Sequence, residues 1–422
     1  MQRHFFLTII LILVIIFTQC KPKPVWLDSV TEFSSLKEQA NYKRPCSENI
    51  NNAPDAYTSR KIIKTNVHFI DSPEQDATWP LEEGKAYMQV LIGNANERLS
   101  KNVKMNLPIG NDTPVLDPAF RYQVVGVEPG DDGYYYHIDS SLYYYIAKGK
   151  YRNHYRKDVI EKYAIAPDSI LNIFVISHPQ DSLQSKSYKA VGQGIALGTS
   201  LKMTGLYSNR NSPAWSFGNL LNHEIGHVLG LGHAWTKYDG CDDTPAHPNC
   251  WDANASTGRN GKPCGKSYSN NVMDYNNVQM AYTPCQLGRI HKGLNLIGSG
   301  TRGLIYDSWC DYDPDEVIII SDKVEWKGDR DINSDIIISA GGRLDLHCRL
   351  SMAQGSRITI AKGGQLHLHS HSKIHNACGH EWDGIQLMDE KEKNKMLFVY
   401  GNGRMEDVID SQDYTRKSKL VP

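Results

Sequence analysis

The chain has 422 residues, 40% of them hydrophobic, enough for two or three domains with sizeable cores. Its 46 basic and 47 acidic side chains leave a formal net charge of -1, with no long basic block, which excludes nucleic acid as an expected partner.

Arg3 and His4 precede an apolar run from Phe5 to Phe17. That run is short for a membrane span and suits the core of a signal peptide over residues 1–20. Cys20 follows directly and then Lys-Pro-Lys-Pro, a pattern similar to a bacterial lipoprotein processing site in which Cys20 carries the lipid. Simple secretion and an uncleaved anchor are the alternatives, and all three export the chain. In an oxidising compartment, the eight cysteines left after Cys20 suggest disulfides.

Residues 21–58 are polar, contain Pro, Asn and Lys, and read as a linker or pro-segment. Cys46 within it is expected in a disulfide, with Cys310 as a candidate partner; the alternative is a free thiolate that blocks a metal downstream. The first large domain is expected over 59–300. Ile63 to Phe69 alternates as a strand, and residues 81–101 carry Met88, Leu91, Ile92, Ala95 and Leu99 on one helical face. Phe120, Tyr122 and Val124 mark another strand. Tyrosines at 134–136 and 143–145 are read as packing beneath a long insertion rather than as a ligand patch. Leu171 to Ile176 is an apolar buried strand. Residues 188–199, ending in Gly192 to Gly198, read as an edge strand with glycine kinks, where an extended peptide can add itself as a further strand.

The densest signal follows. In His223-Glu-Ile-Gly-His-Val-Leu-Gly-Leu-Gly-His233, His223 and His227 lie one helical turn apart on one face. Gly230 can end the helix in the left-handed conformation, which lets His233 swing back as a third ligand. Three nitrogens with an open fourth position describe a catalytic zinc site. Glu224 sits beside the pair, placed to act as general base on a metal-activated water. The bland reading is a buried helix whose histidines only hydrogen-bond. The helix is expected to start near Ser216. Beyond His233 the chain is polar to about residue 270. Asp242 and Asp243 in Gly240-Cys-Asp-Asp-Thr-Pro245 are candidate calcium ligands, or simply brace the turn. Asn271-Val-Met-Asp-Tyr275 comes next, then a helix start at Thr283-Pro284. Alternating strands and helices up to a long active-site helix predict an α/β (α+β) catalytic domain with a twisted mixed sheet.

Residues 301–312 read as a linker. From 313 to about 400 the chain becomes β-rich and repeats itself. Ile336-Ile-Ile-Ser-Ala-Gly-Gly-Arg-Leu-Asp-Leu346 aligns with Ile358-Thr-Ile-Ala-Lys-Gly-Gly-Gln-Leu-His-Leu368 at an offset of 22 residues. That period, with paired glycines between short strands, predicts an all-β, solenoid-like domain; a small sandwich is the alternative. His367, His369 and His371 are expected on a solvated strand face, with a metal patch the sharper reading. Cys378, with His375, His380 and Glu381, is placed in a turn, and 401–422 is a tail.

His223, Glu224, His227, Gly230 and His233 resemble the long signature of metzincin metalloproteases, and Met273 fits their methionine turn. Cys-Asp-Asp-Thr-Pro245, Asn-Val-Met-Asp-Tyr275 and Tyr-Thr-Pro-Cys-Gln-Leu-Gly-Arg-Ile290 are similar to the pappalysin family, including its bacterial cytophagalysin and ulilysin-like members, over residues 60–295. The resemblance implies a two-lobed fold with the cleft between the lobes, a Tyr275 that stabilises the tetrahedral intermediate, and disulfides Cys241–Cys264 and Cys250–Cys285. The residues alone leave three connectivities open. The function expected is an exported zinc endopeptidase acting on proteins or peptides. The alternative is a cell-surface adhesin with a vestigial zinc site.

Overall fold

The computed structural model describes residues 24–33, 35–38, 42–144, 155–178 and 193–410. The signal segment, Cys20, Tyr145 and Gly192 lie outside them. Among the described residues no helix is long and apolar enough to cross a membrane.

The catalytic part is built on β3 (Lys61–Asp71), whose length lets it serve two partners on one edge. Its first half pairs in parallel with β4 (Phe120–Val124) and its second half with β5 (Tyr134–Ile138). On the other edge come β6 (Leu171–Val175), β8 (Ser200–Thr204) and finally β7 (Gln193–Leu197), which alone runs antiparallel. β6 is buried along its whole length, as its unbroken apolar run requires of a central strand. Helix α1 (Leu81–Ser100) presents Met88, Leu91, Ile92, Ala95 and Leu99 to the core, the face its 3.6-residue period marks out. Helix α2 (Asp158–Tyr163) covers the second, smaller core around Ile70 and Phe174. Against α1 packs α3 (Gly218–Val228), which follows a 3-10 turn over Ala214–Phe217. Helix α4 (Pro284–Asn295) starts with a capping box between Thr283 and Gln286. The expected twisted mixed sheet with an active-site helix is what the chain forms.

After a short α5 (Gly300–Gly303) the chain winds into a three-sided parallel solenoid. Its first face stacks β9 (Val317–Ile320), β12 (Asp335–Ile338), β15 (Ile358–Ile360) and β18 (Ile385–Leu387). The second face stacks β10 (Lys323–Trp326), β13 (Arg343–Leu346), β16 (Gln365–Leu368) and β19 (Leu397–Tyr400). The third stacks β11 (Arg330–Ile332), β14 (Arg349–Met352), β17 (Lys373–His375) and β20 (Arg404–Met405). Ile338, Leu344, Ile360 and Leu366 point inward and are fully buried. The repeated glycine pair turns a corner. Gly341 and Gly363 take φ of +85°, and a Cβ on Gly342 would lie 2.1 Å from the Ile320 carbonyl of the rung below. Helix α6 (Lys393–Met396) leads into β19.

Residues 21–58 are not a free linker. β1 (Val25–Leu27) adds antiparallel to β18, and β2 (Ser35–Leu36) adds in parallel to β19, so the N-terminal segment covers the solenoid's last edges. It also crosses α4 at Gly288, where a Cβ would meet the Asn49 carbonyl at 2.0 Å. Nor is 301–312 a plain linker, since it holds α5 and Cys310. The last rung runs past residue 400 to Met405. Cys46 bonds Cys348, not Cys310, and Cys310 bonds Cys378. Both bridges tie the solenoid to what precedes it. Cys46 is thereby no free thiolate.

Candidate active site

Helix α3 carries His223 and Glu224 in its buried face and ends at Leu229. Gly230 takes φ of +93°, and the Leu231 amide bonds back to the Gly226 carbonyl at 2.9 Å. This reversal brings His233 to the other two imidazoles. His227 Nε2 lies 3.2 Å from His223 Nε2 and 3.1 Å from His233 Nε2. In a tetrahedral site with metal–nitrogen distances of about 2.0–2.1 Å, neighbouring nitrogens stand about 3.3 Å apart. The three ring nitrogens therefore fit one metal ion.

The outer ring nitrogens are oriented for the same purpose. His223 Nδ1–H donates to the Val272 carbonyl at 2.7 Å and His227 Nδ1–H to the Leu231 carbonyl at 2.9 Å, leaving each Nε2 lone pair free to ligate. Burial keeps the rings neutral: it pulls His223 down to about 3 and His233 to about 4, helped by the neighbouring imidazoles. Three converging ring nitrogens on neutral imidazoles suit a cation at their centre.

Glu224 is buried beside them, and burial pushes its carboxyl up to about 8. The Ala196 amide on the edge strand β7 opposes that shift by bonding the carboxylate. The approach is possible only because Gly194 has no side chain; a Cβ there would stand 2.4 Å from Glu224 Cγ. Met273 lies fully buried under the helix, and a Cβ on Gly226 would meet its sulfur at 2.5 Å. Tyr275 is half-buried with its ring 5.1 Å from that of His233 and 5.5 Å from that of His223. Burial raises its hydroxyl's pKa, and Arg259, 4.3 Å from the ring centre, opposes this.

Sequence reasoning missed the supporting residues. Trp235 stacks on His233 at 4.0 Å. Asn249 accepts the Tyr275 amide at 3.1 Å, and Gln279 Nε2 donates to the Asp274 carbonyl at 2.7 Å. Under the turn, His247 bonds Asp274 at 2.9 Å. Only Asp274 lay inside a motif; the others reach the site through loop geometry.

The cysteines near the site pair differently from what the resemblance implied. The bonds are Cys241–Cys285 and Cys250–Cys264, not Cys241–Cys264 and Cys250–Cys285. Asp243 explains the first. Its carboxylate accepts the Thr283 hydroxyl at 2.7 Å and the Cys285 amide at 2.9 Å, capping α4 and drawing Cys241 to the helix start. Cys250 and Cys264 face each other in a loop closed by bridges Cys250–Tyr268 and Thr257–Pro263. Asp243 braces that cap, and Asp242 is exposed. The three solenoid histidines also part company. His367 is buried on Phe398, His369 lies between Asp345 and Glu38, and only His371 is exposed.

A helix-borne pair of imidazoles, a third from the following turn and a buried carboxylate beside them define a metallopeptidase centre. Residues 154–295 match the peptidase family described as pregnancy-associated plasma protein-A. Over this segment, about a third of the chain, it resembles the pappalysin family, which supports a metalloendopeptidase. Among solved structures, it is similar to mature mirolysin from Tannerella forsythia in complex with a cleaved peptide, at 16% identity over 58% of this chain and 96% of that one, with a TM-score of 0.40. A promirolysin mutant from the same organism matches at 14% identity over 61% of this chain and 88% of that one, also at 0.40. Comparison with curated proteins yields no match.

Proposed function

We propose that the chain is an exported zinc-dependent endopeptidase, with His223, His227 and His233 as ligands, Glu224 as general base and Tyr275 as oxyanion partner. The observation that carries this is the convergence of three ring nitrogens, with His227 Nε2 at 3.2 Å from His223 Nε2 and 3.1 Å from His233 Nε2, beside a buried carboxylate. Zinc bound there supplies Lewis-acid polarisation of the scissile carbonyl and lowers the pKa of a water in its open position to about 7. A cation in the site also favours the carboxylate form of Glu224 over the acid that burial alone prefers.

Glu224 takes the proton of the attacking water and returns it to the leaving amine. The Tyr275 hydroxyl donates to the oxygen that gains charge. Met273 fills the floor beneath α3. Substrate lies extended along β7, the last strand of its sheet, whose outer edge is unpaired among the described residues. Export rests on the apolar segment and Cys20, as a lipid-anchored or secreted protein.

Cleavage of casein with and without a chelator tests the reading. Glu224→Gln should keep its metal by elemental analysis and lose at least about a hundredfold in rate. Normal proteolysis by that variant would sink the mechanism.

A further inference from the structure

Where α4 runs out against the solenoid, the third face stacks three cations. Arg349 on β14, Lys373 on β17 and Arg404 on β20 occupy the same position of successive rungs. In a β ladder such neighbours stand about 4.8 Å apart, and like charges facing each other at that spacing destabilise the sheet. Arg44, two residues before the Cys46–Cys348 bridge, joins them in one cleft of about 230 Å3. Leu296 and Ile297, half exposed, form an apolar wall.

The local carboxylates answer only part of this charge. Glu406 accepts from Lys373 Nζ at 3.0 Å and from Arg404 Nε at 2.6 Å. Asp329, also in the cleft, accepts the Arg349 backbone amide at 3.0 Å. Four cations thus share three carboxylates once the buried Asp331 is counted, and Asp331 also serves Lys61 and Arg302. Arg349 is the deepest of them at 7% exposure. Its Nη1 meets Asp331 at 2.8 Å and its Nη2 donates to the Asn295 carbonyl at 2.8 Å, while its Nε has no acceptor among the described residues.

We propose that this cleft binds an oxyanion, a phosphate or sulfate ester, remote from the peptidase chemistry. Donors repeating along the solenoid axis suit a ligand that repeats its charges, such as a sulfated glycan, better than a single ion.

The test titrates the full chain at low salt with inorganic phosphate and, separately, with a heparin octasaccharide. Variants are chosen on the surface so that the buried Arg349 is untouched. Arg44→Gln with Lys373→Gln should weaken octasaccharide binding at least tenfold, with an unchanged melting temperature. Glu406→Gln should tighten it several-fold by freeing the two donors it holds. Tighter binding of the octasaccharide than of phosphate assigns the site to a polyanion; phosphate binding alone, lost in the double variant, assigns it to a small oxyanion. Binding of neither probe, equal binding by the double variant, or weaker binding by Glu406→Gln overturns the proposal.

Discussion

Asp331→Asn tests what holds the peptidase and the solenoid together. Asp331 sits on β11 with a fully buried side chain. It meets Lys61 Nζ of β3 at 3.2 Å, Arg302 Nη1 of α5 at 2.8 Å and Arg349 Nη1 of β14 at 2.8 Å. Trp309 lies under both Lys61 and Arg302, at 4.7 and 4.2 Å. Burial by itself would raise the Asp331 carboxyl, but Lys61, Arg349 and Arg302 outweigh it and hold the group well below the usual carboxylate range. Asparagine keeps the shape and removes the charge. Three cations, each with a side chain no more than 11% exposed, then share no anion at that point. Removing one partner of a buried ion pair costs about 3–5 kcal/mol, and in a chain of this size that lowers the melting temperature by about 3–6 °C.

The pH dependence has a definite sign. A carboxyl depressed in the folded state contributes stability that is present above its unfolded pKa of about 3.9 and is lost as pH falls towards the folded value. The wild type therefore loses this contribution on acidification, and Asp331→Asn has none to lose. The gap between the two melting curves, followed by circular dichroism, should be full at pH 7 and narrow below about pH 4. Equal melting at pH 7, or a gap that stays constant through acid, would refute the role assigned to the cluster.

Further outcomes follow from the site and its loops. Gly194→Ala puts a methyl 2.4 Å from Glu224 Cγ, so kcat on a peptide substrate should fall at least about tenfold while the melting temperature barely moves. Tyr275→Phe removes the hydroxyl proposed as oxyanion donor; kcat should drop about a hundredfold with KM nearly constant. Non-reducing peptide mapping should recover Cys46–Cys348, Cys241–Cys285, Cys250–Cys264 and Cys310–Cys378. A Cys241–Cys264 peptide would contradict the Asp243 cap.

What was legible in the chain was what acts over short distances. His223 and His227 declare themselves because one helical turn sets their geometry, and Gly230 announces the reversal that brings in His233. The solenoid showed only its two middle rungs. There Ile336 pairs with Ile358, 22 residues on, but Ile336 also pairs with Ile318, 18 residues back, and Ile358 with Ile385, 27 residues on. Corner loops of unequal length erase the period without disturbing the register. β1 and β2 were unreadable for a different reason: Val25 finds Leu387 and Ser35 finds Val399, and no local pattern encodes pairing across such separations. Arg259 and Gln279 sit on loops whose paths depend on the Cys250–Cys264 bridge and the methionine turn.

Those long-range pairings bear on how the enzyme is kept in check. A removable inhibitory segment must leave without uncovering the protein's own core. Residues 24–58 fail that condition. β1 and β2 close two sheets of the solenoid, and Leu27, Val30 and Phe33 are buried in its core. The same segment crosses α4 at Gly288, and Lys292 on that helix donates to the Ser47 carbonyl at 2.6 Å. Cys46 is bonded to Cys348, so excision would also break a disulfide that spans 302 residues. Cleavage within 24–58 should therefore lower the melting temperature rather than release activity. An increase in peptidase rate after a cut there, with stability retained, would show that the segment is a pro-segment after all.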